Sequence, residues 1–271
     1  MLAWQLKIKK MKNYLLIFFS IWVFNNLSAQ LFGGQIKSNP DLTYPSGSIF
    51  CASGPTAIVE VTNPTTGKIW MDRNLGASQA GTSSTDINAI GDLYQWGRRS
   101  DGHQCRNSPT TTTLSSSDIP VNNFFIISSS CSGQCTADWR SPQNNNLWQG
   151  VNGINNPCPI GYRIPTSVEW NNELNSWLIA TSVGAFSSPL KLVTGGYRSN
   201  GSGNIWFYGN LDVFGSPQYG GYYWSSTPVF TNYVGQLPRW ESNCLIFQPQ
   251  YGDAFDLYSR AMGFSVRCIK N

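Results

Sequence analysis

The stretch Cys158-Pro159-Ile160-Gly161-Tyr162-Arg163-Ile164-Pro165-Thr166, continued by Ser167-Val168-Glu169-Trp170, constrains this chain more than any other. Thr166 and Glu169 have capping-box spacing, in which a hydroxyl and a carboxylate three residues apart satisfy each other's free backbone donors. Pro165 favours an extended approach, so the helix start is sharply set. Beyond the cap, Trp170, Leu174, Trp177 and Leu178 recur on one helical face. Asn171, Asn172, Glu173 and Asn175 fall elsewhere and are expected to face water. The pattern predicts an amphipathic helix of about three turns, with its two tryptophans serving the core.

Upstream, Lys7, Lys9, Lys10 and Lys12 precede an apolar run at 15–24, and Leu27-Ser28-Ala29 ends in small residues. This predicts a signal peptide over 1–29, cleaved near Ala29, with Met11 an alternative start. The apolar run is shorter than the roughly 20 residues that cross a bilayer. No membrane span is therefore expected in the mature chain, and no cysteine stands ready for a lipid anchor. Of 18 basic residues four are leader lysines, and none of the 14 acidic residues lies there, so the mature chain is charge-balanced. That balance gives no electrostatic case for nucleic acid or an anionic membrane as partner. All seven cysteines follow the leader: Cys51, Cys105, Cys131, Cys135, Cys158, Cys244 and Cys268. Export makes disulfides the default, but an odd count leaves one thiol over and spacing does not decide the pairing.

Residues 30–56 read as a lead-in without regular elements, with Cys51 a candidate staple. Alternation at 57–62 and 68–72, around Asn63-Pro64-Thr65-Thr66-Gly67, predicts a β-hairpin. The Ser/Thr/Asn/Gln/Pro-rich run at 100–156 is expected to be a functional surface loop or a locally disordered insertion, tethered by Cys105, Cys131 and Cys135. Further strands are predicted at 190–193, 195–198, 205–208, 222–226, 244–248 and 264–269, the second and third joined by a turn at 201–204. The expected class is α+β, with twisted antiparallel sheets, few helices and long loops.

Several short runs carry a resemblance in their shared order. They are Gly67-Lys68-Ile69-Trp70-Met71-Asp72-Arg73-Asn74-Leu75, Gly91-Asp92-Leu93-Tyr94, the Cys158–Thr166 run, Glu169-Trp170, Leu190-Lys191-Leu192, Gly196-Tyr197-Arg198, Tyr223-Trp224-Ser225-Ser226-Thr227 and Ser265-Val266-Arg267-Cys268. Together they resemble the Fibrobacter succinogenes major paralogous domain over about 57–271. The resemblance implies a secreted or cell-surface protein of the Bacteroidetes type, with a C-type-lectin-like fold and loops projecting from one end. It also implies a disulfide between Cys158 and Cys268, clamping the helix region to the last strand. It implies no common activity.

The chain has one histidine, His103, so a histidine-based triad or histidine-rich metal site does not suggest itself. His103 with Cys105, Cys131 and Cys135 has zinc-ligand chemistry, but three reduced thiolates do not suit an oxidising compartment. Disulfides and a loop histidine are the expectation. Among Asp212, Glu241, Asp253 and Asp256, the run Glu241-Ser242-Asn243 hints at a lectin-type calcium loop without its usual proline. No cofactor is expected, with calcium the alternative kept open. The fuller signal is the aromatic and amide content of 220–259, expected to be partly loop: Tyr222, Tyr233, Arg239, Trp240, Asn243, Gln248, Tyr251, Asp253 and Tyr258 are the candidate ligand-binding residues. The expected function is non-enzymatic binding of an extracellular glycan or protein, through a surface that could be diversified between isolates. The alternatives are a polysaccharide-acting enzyme using Glu241, Asp253 or Asp256, and a structural surface protein.

Overall fold

Turn residues placed every few positions cut this chain into short strands. The computed structural model describes residues 43–52, 54–128, 138–211, 217–231 and 239–271. All belong to one unit, Lys37–Asn271. The expected leader, the lead-in before residue 43, and Cys131, Cys135, Asp212 and Tyr233 lie outside the described residues.

The elements begin with the hairpin β1 (Glu60–Thr62) and β2 (Ile69–Met71), then β3 (Tyr94–Gln95), β4 (Thr110–Thr111), β5 (Phe125–Ile126) and β6 (Tyr162–Arg163). Helices α1 (Ser167–Asn175) and α2 (Ser182–Ser187) follow, then β7 (Tyr197–Arg198), β8 (Ile205–Trp206), β9 (Tyr208–Leu211) and β10 (Pro217–Tyr219). The chain closes with β11 (Gly221–Thr231), β12 (Arg239–Phe247), β13 (Gly252–Ser259), β14 (Gly263–Phe264) and β15 (Ile269–Lys270). The larger sheets run β1-β2-β15-β6, β3-β14-β7-β8 and β11-β12-β13. Their pairings are antiparallel, and the small β4–β5 pair is parallel. This is the sheet-rich α+β architecture expected. Among the described residues no helix is long and apolar enough to cross a membrane.

Side chains alternate across a strand, and here the alternation feeds two cores. Tyr223, Leu245, Phe247 and Ala254 pack with Trp70, Trp170, Leu174 and Trp177. Their strand neighbours Tyr222, Trp224, Cys244 and Ile246 pack the other way, with Trp96, Trp148, Met262 and Phe264. Strands buried on both faces explain runs such as Tyr222-Tyr223-Trp224, which show no polar alternation. Gly196 serves the β7–β8 hairpin in two ways: its φ is +67°, and a Cβ there would strike the carbonyl of Trp206.

Helix α1 starts with the predicted capping box: Glu169 N donates to Thr166 Oγ1 (3.2 Å) and Thr166 N to Glu169 Oε2 (2.9 Å). Trp170, Leu174 and Trp177 are buried as expected. Two expectations are corrected. The helix spans nine residues and ends before Leu178, which is fully exposed. Glu173, expected in water, is 0 % exposed, because Asn63 Nδ2 (2.6 Å) and Trp177 Nε1 (3.1 Å) both donate to its carboxylate. Burial raises its pKa above the usual value.

In the described parts of 100–156 the surface loop holds for 109–124, which carries no buried residue, but other parts pack inward. Phe125, Ile126, Trp139, Leu147 and Trp148 are buried. Side-chain donors replace ladders there: Trp139 Nε1 bonds Trp96 O (2.6 Å), and Asn155 Nδ2 bonds Gly97 O (2.8 Å) and Asp118 O (2.6 Å). The strand expected at 190–193 is irregular instead, since the Tyr223 hydroxyl accepts from Val193 N (3.0 Å) and donates to Val193 O (2.8 Å).

Cys158 and Cys268 form the disulfide that the resemblance implied, and Cys51 pairs with Cys105, stapling the lead-in. The zinc alternative falls with the second pair, because Cys105 has no thiolate to give. His103 lies in a turn, as expected, but it is buried there: Nε2 accepts from Gln95 N (3.0 Å), and Nδ1 lies 2.6 Å from Asp101 Oδ1. Burial first, and the neighbouring Arg98 charge second, lower its pKa to about 4. Cys244 is a buried free thiol.

Candidate functional site

The segment 220–259 was expected to be partly loop, yet most of it is the three-stranded sheet β11-β12-β13. Its β-branched and aromatic residues carry an alternation whose two faces are both occupied. Three candidate residues are consequently interior. Tyr222 is 3 % exposed, Asn243 8 % and Gln248 4 %. Gln248 Nε2 donates to the Tyr222 hydroxyl (3.3 Å), and Asn243 Nδ2 donates to Phe255 O (3.0 Å). These groups support a surface rather than form one. Tyr233 lies outside the described residues.

Arg239 and Trp240 sit half-buried at the far end of β12. Trp240 faces Phe230 across the ladder, with ring centroids 4.6 Å apart, and Arg260 lies 5.7 Å from the Trp240 ring. Tyr251, Asp253 and Tyr258 belong to the edge strand or its approach, and Tyr251 and Asp253 are exposed.

A bulge joins these residues into one site. Cys244 pairs with Asp256 and Ile246 with Asp253, so two residues of β13 oppose Leu245 alone. Residues three apart on a strand ordinarily point to opposite faces. The extra residue restores them to one, and Asp253 and Asp256 stand side by side. Tyr258, opposite Ser242, continues that row. Tyr222 lies behind it, 6.1 Å from Tyr258 and 5.0 Å from Tyr197 between ring centroids. Tyr197 and Phe230 were missed as site residues. Their signal was present in Gly196-Tyr197-Arg198 and in the run that became β11, but both read as structure.

The two carboxylates each cap a backbone donor of the edge strand: Phe255 N gives to Asp253 Oδ1 (2.8 Å) and Leu257 N to Asp256 Oδ1 (2.9 Å). This blunts an edge that would otherwise invite another strand. It leaves one oxygen of each carboxylate without a hydrogen-bond partner among the described residues. Burial raises the pKa of Asp256, and the charge of Asp253 adds to the rise. Burial followed by the Asp256 charge likewise raises the phenols of Tyr251 and Tyr258. Such a face can accept hydrogen bonds from hydroxyl or amino groups while its rings supply contact area.

Glu241 is not part of it. By alternation along β12 its side chain takes the opposite face, where Thr231 Oγ1 lies 3.4 Å from Glu241 Oε2. Glu241 and Asn243 share a face, but the Asn243 amide is committed to Phe255 O. Among the described residues no group of three His, Cys, Asp or Glu side chains converges as a metal site.

Compared with models of protein families, with curated proteins and with solved structures, the chain matches none.

Proposed function

We propose that this chain is an exported, non-enzymatic binding protein acting at or beyond the cell surface. In particular, we read it as a C-type-lectin-like module of the Fibrobacter succinogenes major paralogous kind, recognising an extracellular glycan or protein. The observation that carries the reading is the bulge-aligned pair Asp253 and Asp256, set among Tyr251, Tyr258 and Tyr222. The clamp from Cys158 to Cys268 supports the lectin-like architecture, and two disulfides suit an oxidising compartment.

Glycan and protein arrays probed with the intact protein test this. Tyr251→Ala, at an exposed position, should weaken binding about tenfold or more, the scale of losing one aromatic anchor. Asp253→Asn with Asp256→Asn keeps an acceptor for each edge N–H and removes only charge, so it should weaken binding without promoting self-association. An intact protein that retains nothing from either array sinks the reading. The paired carboxylates also favour a second reading, a polysaccharide hydrolase. Release of reducing ends by the intact protein, abolished in the double Asn variant, would establish that instead.

A further inference from the structure

We propose a second binding site, remote in sequence from β13: the polar cleft between the β1–β2 turn and α1, built for a terminal sugar that carries a carboxylate. This goes beyond the function proposed above and uses none of its residues. The cleft encloses about 300 Å³, lined by Thr65, Thr66, Lys68, Glu169, Asn172 and Asn175, with Ser176 at its floor. That volume is at the lower end of small-molecule sites, which suits one sugar ring better than a long chain.

Both walls are fixed from beneath. In the turn, Thr65 N bonds Asn63 Oδ1 (2.9 Å) and Gly67 N bonds Asn63 O (2.8 Å). Asn63 Nδ2 then reaches across to Glu173 Oε2 (2.6 Å) and Ser176 Oγ (2.9 Å) on the helix side. Trp177 Nε1 holds the other Glu173 oxygen. A buried network of this kind leaves a ligand little ordering cost.

The lining is free to bind. Asn172 and Asn175 are three apart on one helix face, exposed, and their amides bond no other residue among the described ones. Amides and hydroxyls are the groups that match sugar hydroxyls as both donor and acceptor. Charge supplies the second specification. Arg163 grips Glu169 bidentately (2.7 and 2.7 Å), and Thr166 N takes the same carboxylate (2.9 Å). Lys68 Nζ stands 3.9 Å from Glu169, with its side chain 51 % exposed. Glu169 thus takes its hydrogen bonds from Arg163 and Thr166, and Lys68, a loose ion-pair neighbour beyond hydrogen-bond distance, can turn its exposed ammonium to a ligand in the cleft. Glu173 lies beneath the floor with both oxygens used. A ligand carboxylate on Lys68, with ring hydroxyls on Asn172, Asn175 and Thr65, satisfies every free group.

Isothermal titration of the intact protein with glucuronate, glucose and acetate tests the assignment, and an oligosaccharide ending in glucuronate separates a free sugar acid from a chain terminus. Glucuronate should bind at least about tenfold more tightly than glucose or acetate. Lys68→Met should erase the preference over glucose, and Asn172→Ala should weaken both sugars. Both positions are exposed, so neither change threatens the fold. Tyr251→Ala should leave glucuronate binding intact, which separates this site from the β13 face. Equal affinity for glucose and glucuronate, acetate binding as well as glucuronate, or no heat with any of them overturns the proposal.

Discussion

Replacing Cys158 and Cys268 together by alanine should lower the unfolding free energy by about 4–5 kcal/mol, on the chain-entropy scale for a loop of this size. The bridge closes 110 residues of sequence and is buried among Met71, Tyr162 and Val266. It sets the start of the stretch leading into α1 against the last residue before β15, whose neighbours are β2 and β6. Cys268 also contributes its carbonyl to Met71 N (3.0 Å), so the cross-link sits at the junction of the two central strands of the first sheet. Urea denaturation followed by tryptophan fluorescence measures the loss. The Cys51–Cys105 bridge is the control, because it spans 54 residues and Cys51 is exposed. Loop length alone separates the two by only about 0.6 kcal/mol. A much smaller loss for the Cys51 pair would show that its removal frees the lead-in locally while the body stays folded. If the Cys158 pair costs less than about 1 kcal/mol, the clamp does not hold the fold together.

Local chemistry was legible in the sequence wherever partners lie within a few residues. Thr166 and Glu169 announce the helix start, Asn63 to Gly67 the first hairpin, and Gly201 to Asn204 the turn before β8. Longer-range facts were not. Nothing near Glu173 says that Asn63, 110 residues earlier, will donate to it and draw it inside. The order of the described parts of 100–156 comes from tryptophan and asparagine side chains bonding distant carbonyls, which leaves no periodic trace. The candidate site was half legible: its residue types were right, but a single bulge opposite Leu245 decides which of them meet. Without that bulge, simple alternation separates Asp253 from Asp256.

The runs that carried the resemblance have a physical meeting point, and it yields the second large effect. Arg267→Met should destabilise the protein by about 3–5 kcal/mol, from buried acceptors left unpaired at about 1–3 kcal/mol each, lowering the melting temperature on the order of 10 °C. Arg267 is 1 % exposed, and burial lowers its pKa. Its Nε donates to Asn74 Oδ1 (3.0 Å), and Nη1 donates to Met71 O (3.2 Å) and Leu190 O (2.8 Å). Asn74 Nδ2 passes the chain on to the Tyr223 hydroxyl (3.2 Å), which holds Val193. Four separate runs of sequence are thus fastened to one guanidinium. Exchanging a buried polar group for an apolar one can be neutral when both partners change. Here two of the acceptors are backbone carbonyls and remain, dry and unpaired, whatever side chain replaces the arginine. Arg267→Lys keeps the charge but lacks the planar fork, so it should recover only part of the loss. Tyr223→Phe combined with Arg267→Met should cost less than the two changes summed, because both cut one network. Strict additivity, or an Arg267→Met protein of unchanged stability, would mean that these short runs are held in order by something other than their shared hydrogen bonds.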